Sequence, residues 1–191
     1  MTLEEQRQIM LSGAMYNDLT PELIRARENA VRLADAYNRS FGGPAGEREA
    51  ILRRLLKSIG KGVHFEPDFR CEFGFNISIG NNFYANFDCV MLDGGGIEIG
   101  DNVLLGPNVQ IIAATHPTDP KIRLMGLECG KPVTIGANVW LGAGVTVCPG
   151  VTIGENTTIG AGSVVNRDIP AGVLAVGNPC RPVRSLQERG E

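Results

Sequence analysis

Residues 133–168 read VTIGANVWLGAGVTVCPGVTIGENTTIGAGSVVNRD, and an aliphatic residue recurs there at every sixth position: Ile135, Leu141, Val147, Ile153, Ile159 and Val165. Two places before each stand Val133, Val139, Val145, Val151, Thr157 and Ser163, and directly after each stand Gly136, Gly142, Cys148, Gly154, Gly160 and Asn166. A six-residue unit is too short for a helical hairpin or a propeller blade. It fits one short strand plus a corner of a parallel β-helix, so three units make one triangular coil. The sixth-position aliphatics point inward and stack on those of the neighbouring coils, because no single coil can bury that face alone. A β-sandwich is the weaker reading, since its strands recur at longer spacings with alternating faces.

Working outward, Ile77, Phe83 and Cys89 are six apart, as are Ile79, Ala85 and Met91. A second register holds Ile97, Val103 and Val109 beside Ile99, Leu105 and Ile111. The registers are offset by two residues around Asp93-Gly94-Gly95-Gly96, which reads as a corner with extra residues. Between Ile111 and Ile135 the segment AATHPTDPKIRLMGLECGKP carries no repeat, and with Ile112 before it forms an excursion loop over residues 112–132. A long irregular segment in a regular solenoid is more often functional than accidental. The segment VLAVGNPCRPVRSL closes the coil as a C-terminal tail.

Residues 1–60 read as helical, ahead of the repeat domain at 61–191. Thr2 and Glu5 have capping-box spacing. Thr20-Pro21-Glu22 opens a helix to about Asn38 whose expected buried side is Leu23, Ile24, Ala30, Val31 and Ala34. A third helix is predicted from about Gly46 to Ser58, with Ile51, Leu52, Leu55 and Leu56. These helices can cap the open end of the coil.

Over 191 residues, 43% hydrophobic composition suits a globular chain, and a formal net charge of −3 argues against a nucleic-acid surface. There is no apolar run of membrane-spanning length, the N-terminus is charged rather than signal-like, and a cytoplasmic location is expected. Five cysteines without a CxxC pair read as small buried hydrophobes rather than a disulfide framework. Two histidines, His64 and His116, are too few for a histidine-cluster zinc site in one chain, and no metal is expected. His64 reads as a packing or surface residue. His116 sits in the excursion loop, and a neutral imidazole can take a proton from an alcohol near neutral pH. Glu128, at the loop's far end, can orient that ring, and Tyr84, Asn86, Glu72 and Asp93 can supply polar groups if the coils bring them near.

The segments CEFGFNISIGNNFYANFDCVMLD, IGDNVLLGPNVQIIAATHPTDP, GKPVTIGANVWLGAGVTVCPGVTIGENTTIGAGSVVNRDIP and AVGNPCRPVR, with GAMYNDLTPEL near the front, resemble the maltose and galactoside O-acetyltransferases, a branch of the hexapeptide-repeat acyltransferases. The resemblance implies a left-handed parallel β-helix, assembled as a homotrimer with active sites between subunits. It implies acetyl-CoA as co-substrate and a saccharide acceptor of maltose, glucose or galactoside type. His116 matches the family's general base and Asn86 the residue that stabilises the oxyanion. Asp18 and Asn86 match acceptor-contacting positions, Glu72 and Asp93 lie at or beside such positions, and Gly94 stands where some relatives carry an acidic residue; Tyr84 and Glu128 join them as expected acceptor contacts from the reading of the loop and coils above. On the cofactor side the matches are Asn86, Trp140, Ala143, Ala161, Asn166, Arg167, Arg181 and Arg184. The alternatives are a related acetyltransferase with an antibiotic or serine acceptor, and a non-catalytic hexapeptide binding or scaffold protein.

Overall fold

In the computed structural model, which describes residues 1–186, three helices precede a column of short strands. Helix α1 is Leu3–Leu11, α2 is Pro21–Arg39 and α3 is Ala45–Leu55. The Thr2–Glu5 capping box forms, and Thr20 caps α2 from its side chain. The buried stripe of α2 is Leu23, Ala30, Leu33, Ala34 and Tyr37; Ile24 and Val31, expected inside, are 38% and 48% exposed. They lie one residue along from Leu23 and Ala30, about 100° round the helix, and so miss the narrow contact face. Helix α3 stops short of its predicted end because Leu56 turns extended (φ −97°, ψ 153°) and Ser58–Ile59 begins the first sheet.

The strands form three parallel stacks, as a triangular coil requires, and the architecture is the expected left-handed parallel β-helix. The first stack runs Ser58–Ile59, Ile77–Ile79, Ile97–Ile99, Val133–Ile135, Thr152–Ile153. The second includes His64–Phe65, Tyr84–Ala85, Leu104–Leu105, Trp140–Leu141 and Thr158–Ile159, and ends on Val173–Val176 with antiparallel Arg181–Ser185. The third is Arg70–Cys71, Val90–Leu92, Gln110–Ile112, Thr146–Val147 and Val164–Val165. All six sixth-position aliphatics, and the six residues two places before them, are buried. The two polar members are satisfied: Thr157 Oγ1 donates to the Pro170 carbonyl at 3.0 Å and Ser163 Oγ accepts from Gly177 N–H at 3.0 Å.

One corner is held by asparagines. Asn82, Asn102, Asn138 and Asn156 stack at the turn from the first sheet to the second, each at a φ of 54° to 58°. Their amides form a ladder of hydrogen bonds at 3.0, 2.9 and 2.9 Å. Asparagine tolerates this left-handed conformation, and along the column Asn82 donates, Asn102 and Asn138 both accept and donate, and Asn156 accepts.

Another corner is irregular in three successive coils. Six residues separate Thr146 from Thr152 across the turn from third sheet to first, but eight separate Arg70 from Ser78 and Val90 from Glu98. In the next coil twenty-four separate Gln110 from Thr134. The inserted residues are those around Glu72 to Asn76, Asp93 to Gly96, and the excursion loop. They stack on one edge of the prism, where helices α1 and α2 also pack.

Candidate active site

The irregular corner gathers charge. Asp93 is wholly buried, and its carboxylate accepts from the backbone N–H of Phe73 (2.8 Å), Gly74 (3.1 Å) and Asn76 (3.1 Å). The Asn76 side chain donates to the Asp93 carbonyl and accepts from Arg7 of α1. Asp93 thereby fastens two successive corners together. This corrects its expected place among the acceptor contacts, because the carboxylate has no exposed surface to offer. Burial raises its pKa against the pull of those amides.

Around this pin, the carboxylate oxygens of Asp18, Glu72 and Glu128 lie within 4.8 Å of one another. Arg27 Nη2 donates to Asp18 Oδ2 at 2.9 Å and to Glu72 Oε1 at 3.2 Å, while its guanidinium lies over the Phe73 ring. Burial, then the negative charges of Glu128 and Asp93, push Glu72 up to about 7 against the pull of Arg27. Burial and the charge of Asp18 push Glu128 up to about 7 as well. The Tyr16 ring is buried beside them, and its hydroxyl is held protonated by burial and by the charges of Glu128, Glu72 and Asp18.

The loop is anchored at this cluster. Ala114–Thr115 pairs antiparallel with Cys129–Gly130, and Glu128 then forms a bridge with Tyr16. Thr115 faces Cys129 as the ladder's outer pair, so one further step would set His116 opposite Glu128. His116 is exposed, and among the described residues its side chain makes no hydrogen bond. A short helix, α4 (Pro120–Arg123), and exposed Leu124 and Met125 form the outer part of the loop.

The remaining expected residues lie elsewhere on the prism. Asn86, half-buried, stands at the corner from second to third sheet; its Oδ1 accepts from Phe87 N–H at 2.8 Å, and its amide nitrogen is the donor end of the side chain. Ala143 and Ala161 occupy the same corner in later coils, joined by Gly162 N–H to the Ala143 carbonyl at 2.8 Å. The corner is tight, because a Cβ on Gly142 would come within 2.6 Å of Ala161 N. Tyr84 stacks on His64 (ring centroids 5.8 Å apart, planes 3° apart), which is thus a partly exposed packing residue, within the packing-or-surface expectation. Trp140 is 52% exposed on the second sheet beside Leu104. Asn166 and Arg167 are exposed at the corner after Val164–Val165, and Arg181 donates to Asn166 Oδ1 at 3.2 Å. Arg184 faces Leu174 in the tail hairpin.

Within one chain, His116 and Asn86 therefore occupy different corners. Two members of the charged corner, Arg27 and Tyr16, were not singled out from sequence. Arg27 carries a usable signal: it falls between Leu23 and Ala30 on the buried stripe of α2, where a charge needs a partner. No helix among the described residues is long and apolar enough to cross a membrane.

Comparison with known proteins adds a family context. Residues 9–60 match the model of the maltose acetyltransferase hexapeptide capping motif, and residues 132–167 match that of the bacterial transferase hexapeptide. A maltose O-acetyltransferase structure from Clostridium difficile 630 superposes with a TM-score of 0.93 at 48% identity, covering 98% of this chain and 99% of that one. A galactoside acetyltransferase in complex with coenzyme A gives a TM-score of 0.91 at 38% identity, covering 96% and 92%. The galactoside O-acetyltransferase of Escherichia coli is 39% identical over 178 residues, 93% of this chain and 88% of that protein.

Proposed function

Since the chain belongs to the maltose and galactoside O-acetyltransferase family of hexapeptide-repeat enzymes, we propose that it transfers the acetyl group of acetyl-CoA directly to a saccharide hydroxyl, with His116 as general base. The observation that carries the reading is the position of His116, exposed on a loop whose base is built from polar groups: Glu128 and Tyr16, which are buried, and Glu72 and Asp18, which are partly buried. A scaffold would have no use for that arrangement.

In this mechanism the neutral imidazole takes the proton of the sugar hydroxyl as its oxygen attacks the thioester carbonyl carbon. A C–O bond forms, and the former carbonyl oxygen becomes an oxyanion. The side-chain amide N–H of Asn86 donates to it, a contribution of about 2.7–4 kcal/mol in well-studied acyl-transfer sites. Collapse breaks the C–S bond, and the coenzyme A thiolate recovers the proton from the imidazolium. No acyl-enzyme forms.

His116 and Asn86 sit at different corners of one prism, so the reading requires a homotrimer in which each site is completed by a neighbour's corner. The cofactor then lies along the groove between chains. Ala143 and Ala161 let its thiol arm approach the backbone, Trp140 contributes a wall, and Asn166, Arg167, Arg181 and Arg184 serve the nucleotide end. The test is an acetyl-CoA consumption assay, with release of the free thiol followed across mono- and disaccharides, serine and an antibiotic. Turnover on saccharides supports the reading. Turnover confined to serine or the antibiotic, or absence of acetyl-CoA binding by calorimetry, would overturn it.

A further inference from the structure

The corner that bears Asn86 keeps its register from coil to coil. His64 pairs with Tyr84 and Arg70 with Val90, so Glu66, Pro67 and Asp68 stand over Asn86, Phe87 and Asp88. Tyr84, Leu104, Trp140 and Thr158 pair in turn. Three residues beyond each, Phe87, Pro107, Ala143 and Ala161 share one position of successive coils. That position is alanine where the thiol arm of the cofactor is placed above, and phenylalanine at the coil of Asn86. The cofactor therefore ends at Asn86, and the acceptor approaches from the Glu66 side.

On that side lies a groove of about 490 Å³ lined by Phe41, Glu66, Pro67, Asp68, Phe87 and Asp88. Phe41 is 53% exposed and Phe87 47%. Single exposed apolar residues are ordinary, but these two rings line one groove, next in sequence to the amide at the reacting centre. Both are held in place. The guanidinium of buried Arg48 lies 5.4 Å from the Phe41 ring centroid, and the His64 ring packs against the same phenyl at 6.4 Å. Phe87 donates its N–H to Asn86 Oδ1 and accepts from Asn108 N–H at 3.0 Å.

The polar part of the groove consists of carboxylates, which accept hydrogen bonds and do not donate them when ionised. Glu66 Oε1 takes the Tyr84 hydroxyl at 3.4 Å and lies 3.3 Å from His64 Nε2, while the side chains of Asp68 and Asp88 make no hydrogen bond among the described residues. These oxygens do not converge on a point: among the described residues, only Asp18, Glu72 and Glu128 bring three such atoms within 4.8 Å of one another. A metal ion needs that convergence, whereas hydroxyls spread round a ring do not. A wholly apolar ligand would dehydrate the carboxylates and give them no donor. A pyranose ring meets both demands, its C–H face lying on a phenyl ring and its hydroxyls donating to the carboxylates.

We propose that this groove is a second saccharide subsite, so that the acceptor is a disaccharide or longer. The ring to be acetylated lies at Asn86, and the adjoining ring packs on Phe41 and Phe87 with hydroxyls donated to Glu66, Asp68 and Asp88. The proposal rests on the reading that acetyl transfer to a saccharide takes place at Asn86.

The experiment measures kcat/KM, and binding by calorimetry to the intact enzyme, for maltose, cellobiose and lactose against methyl glucoside, methyl galactoside and phenyl glucoside. The best disaccharide should exceed the best methyl glycoside about tenfold or more. In Phe41→Ala and Phe87→Ala, each checked for folding by circular dichroism, that ratio should fall to near one; the ratio cancels any loss common to both acceptors. Should neither variant fold, the calorimetric preference of the parent decides. Equal kcat/KM for disaccharides and methyl glycosides would overturn the proposal while leaving saccharide acetylation standing. Without turnover on any saccharide the general reading fails first, and equal or absent binding of the two classes then overturns this one. Phenyl glucoside matching the best disaccharide would assign the groove to an apolar aglycone and overturn it. A disaccharide preference unchanged in every folded variant would do the same.

Discussion

Tyr16 and Glu128 exchange both of their backbone hydrogen bonds, each N–H reaching the other's carbonyl at 2.9 Å. Through this bridge the segment between α1 and α2 holds the returning limb of the loop that bears His116. Removing residues 1–19 should therefore loosen the loop more than the coil. Hydrogen exchange should show the Glu128 amide losing protection while that of Cys148, bonded to the Val165 carbonyl at 2.9 Å, keeps it. Unchanged protection at Glu128 would show that the loop holds itself.

The acidic corner makes stability depend on pH in a definite direction. Glu72 and Glu128 titrate near 7 in the folded chain against about 4.5 for a free glutamate, so the folded state binds more protons between those values. Their contribution is complete below about 4.5 and is lost as pH rises through about 7. A Glu128→Gln variant removes one of these carboxylates and relieves the charge on the other. Its stability should gain on that of the parent between pH 5 and pH 8, by an amount of the order of 1–3 kcal/mol, read as a Tm difference that grows with pH. A Tm difference that does not move with pH would contradict the placement of the pair.

Asp93 separates scaffold from chemistry. Asp93→Ala leaves three buried backbone amides without an acceptor and should cost about 3 kcal/mol or more, read as a fall in urea midpoint. Asp93→Asn keeps one oxygen for Phe73 and Gly74 but sets an N–H₂ toward Asn76, so its loss should be smaller. If the two variants were equally stable, the corner would not depend on that carboxylate.

The asparagine ladder allows a finer test. Asn138→Gly keeps the left-handed φ of 58° but breaks the amide bonds to Asn102 and Asn156, whereas Asn138→Ala also strains the backbone. Alanine should therefore be worse than glycine by about 1 kcal/mol in chemical denaturation. Equal losses would assign the stability to the ladder alone.

Much of the fold could be read from residues such as Ile135, Leu141 and Val147, because a six-residue period leaves few architectures that bury every sixth side chain. The capping box at Thr2 and the proline-led start of α2 are local rules and also hold. The buried face of α2 was harder: Ile24 and Val31 are apolar, and only the position of Leu33 and Tyr37 decides which stripe meets the coil. The candidate site was legible one residue at a time but not as a constellation. Glu72, Asp93 and Glu128 are scattered along the chain, and what joins them is a shared corner, set by extra residues in three successive coils. The insertion near Asp93 is visible as a register shift, while the equivalent one after Arg70 is hidden because the coil has only begun. Arg27 and Tyr16 reach the cluster through tertiary packing that no short spacing encodes.

The most direct test of the account is the turnover of His116→Ala, measured by thiol release from acetyl-CoA with an accepted saccharide, alongside its Tm and its elution by size exclusion. The account predicts a folded protein of unchanged assembly whose kcat falls about 10²- to 10⁴-fold, the usual contribution of a general base. A folded variant that keeps kcat within a few-fold of the parent would contradict it and remove His116 from the chemistry.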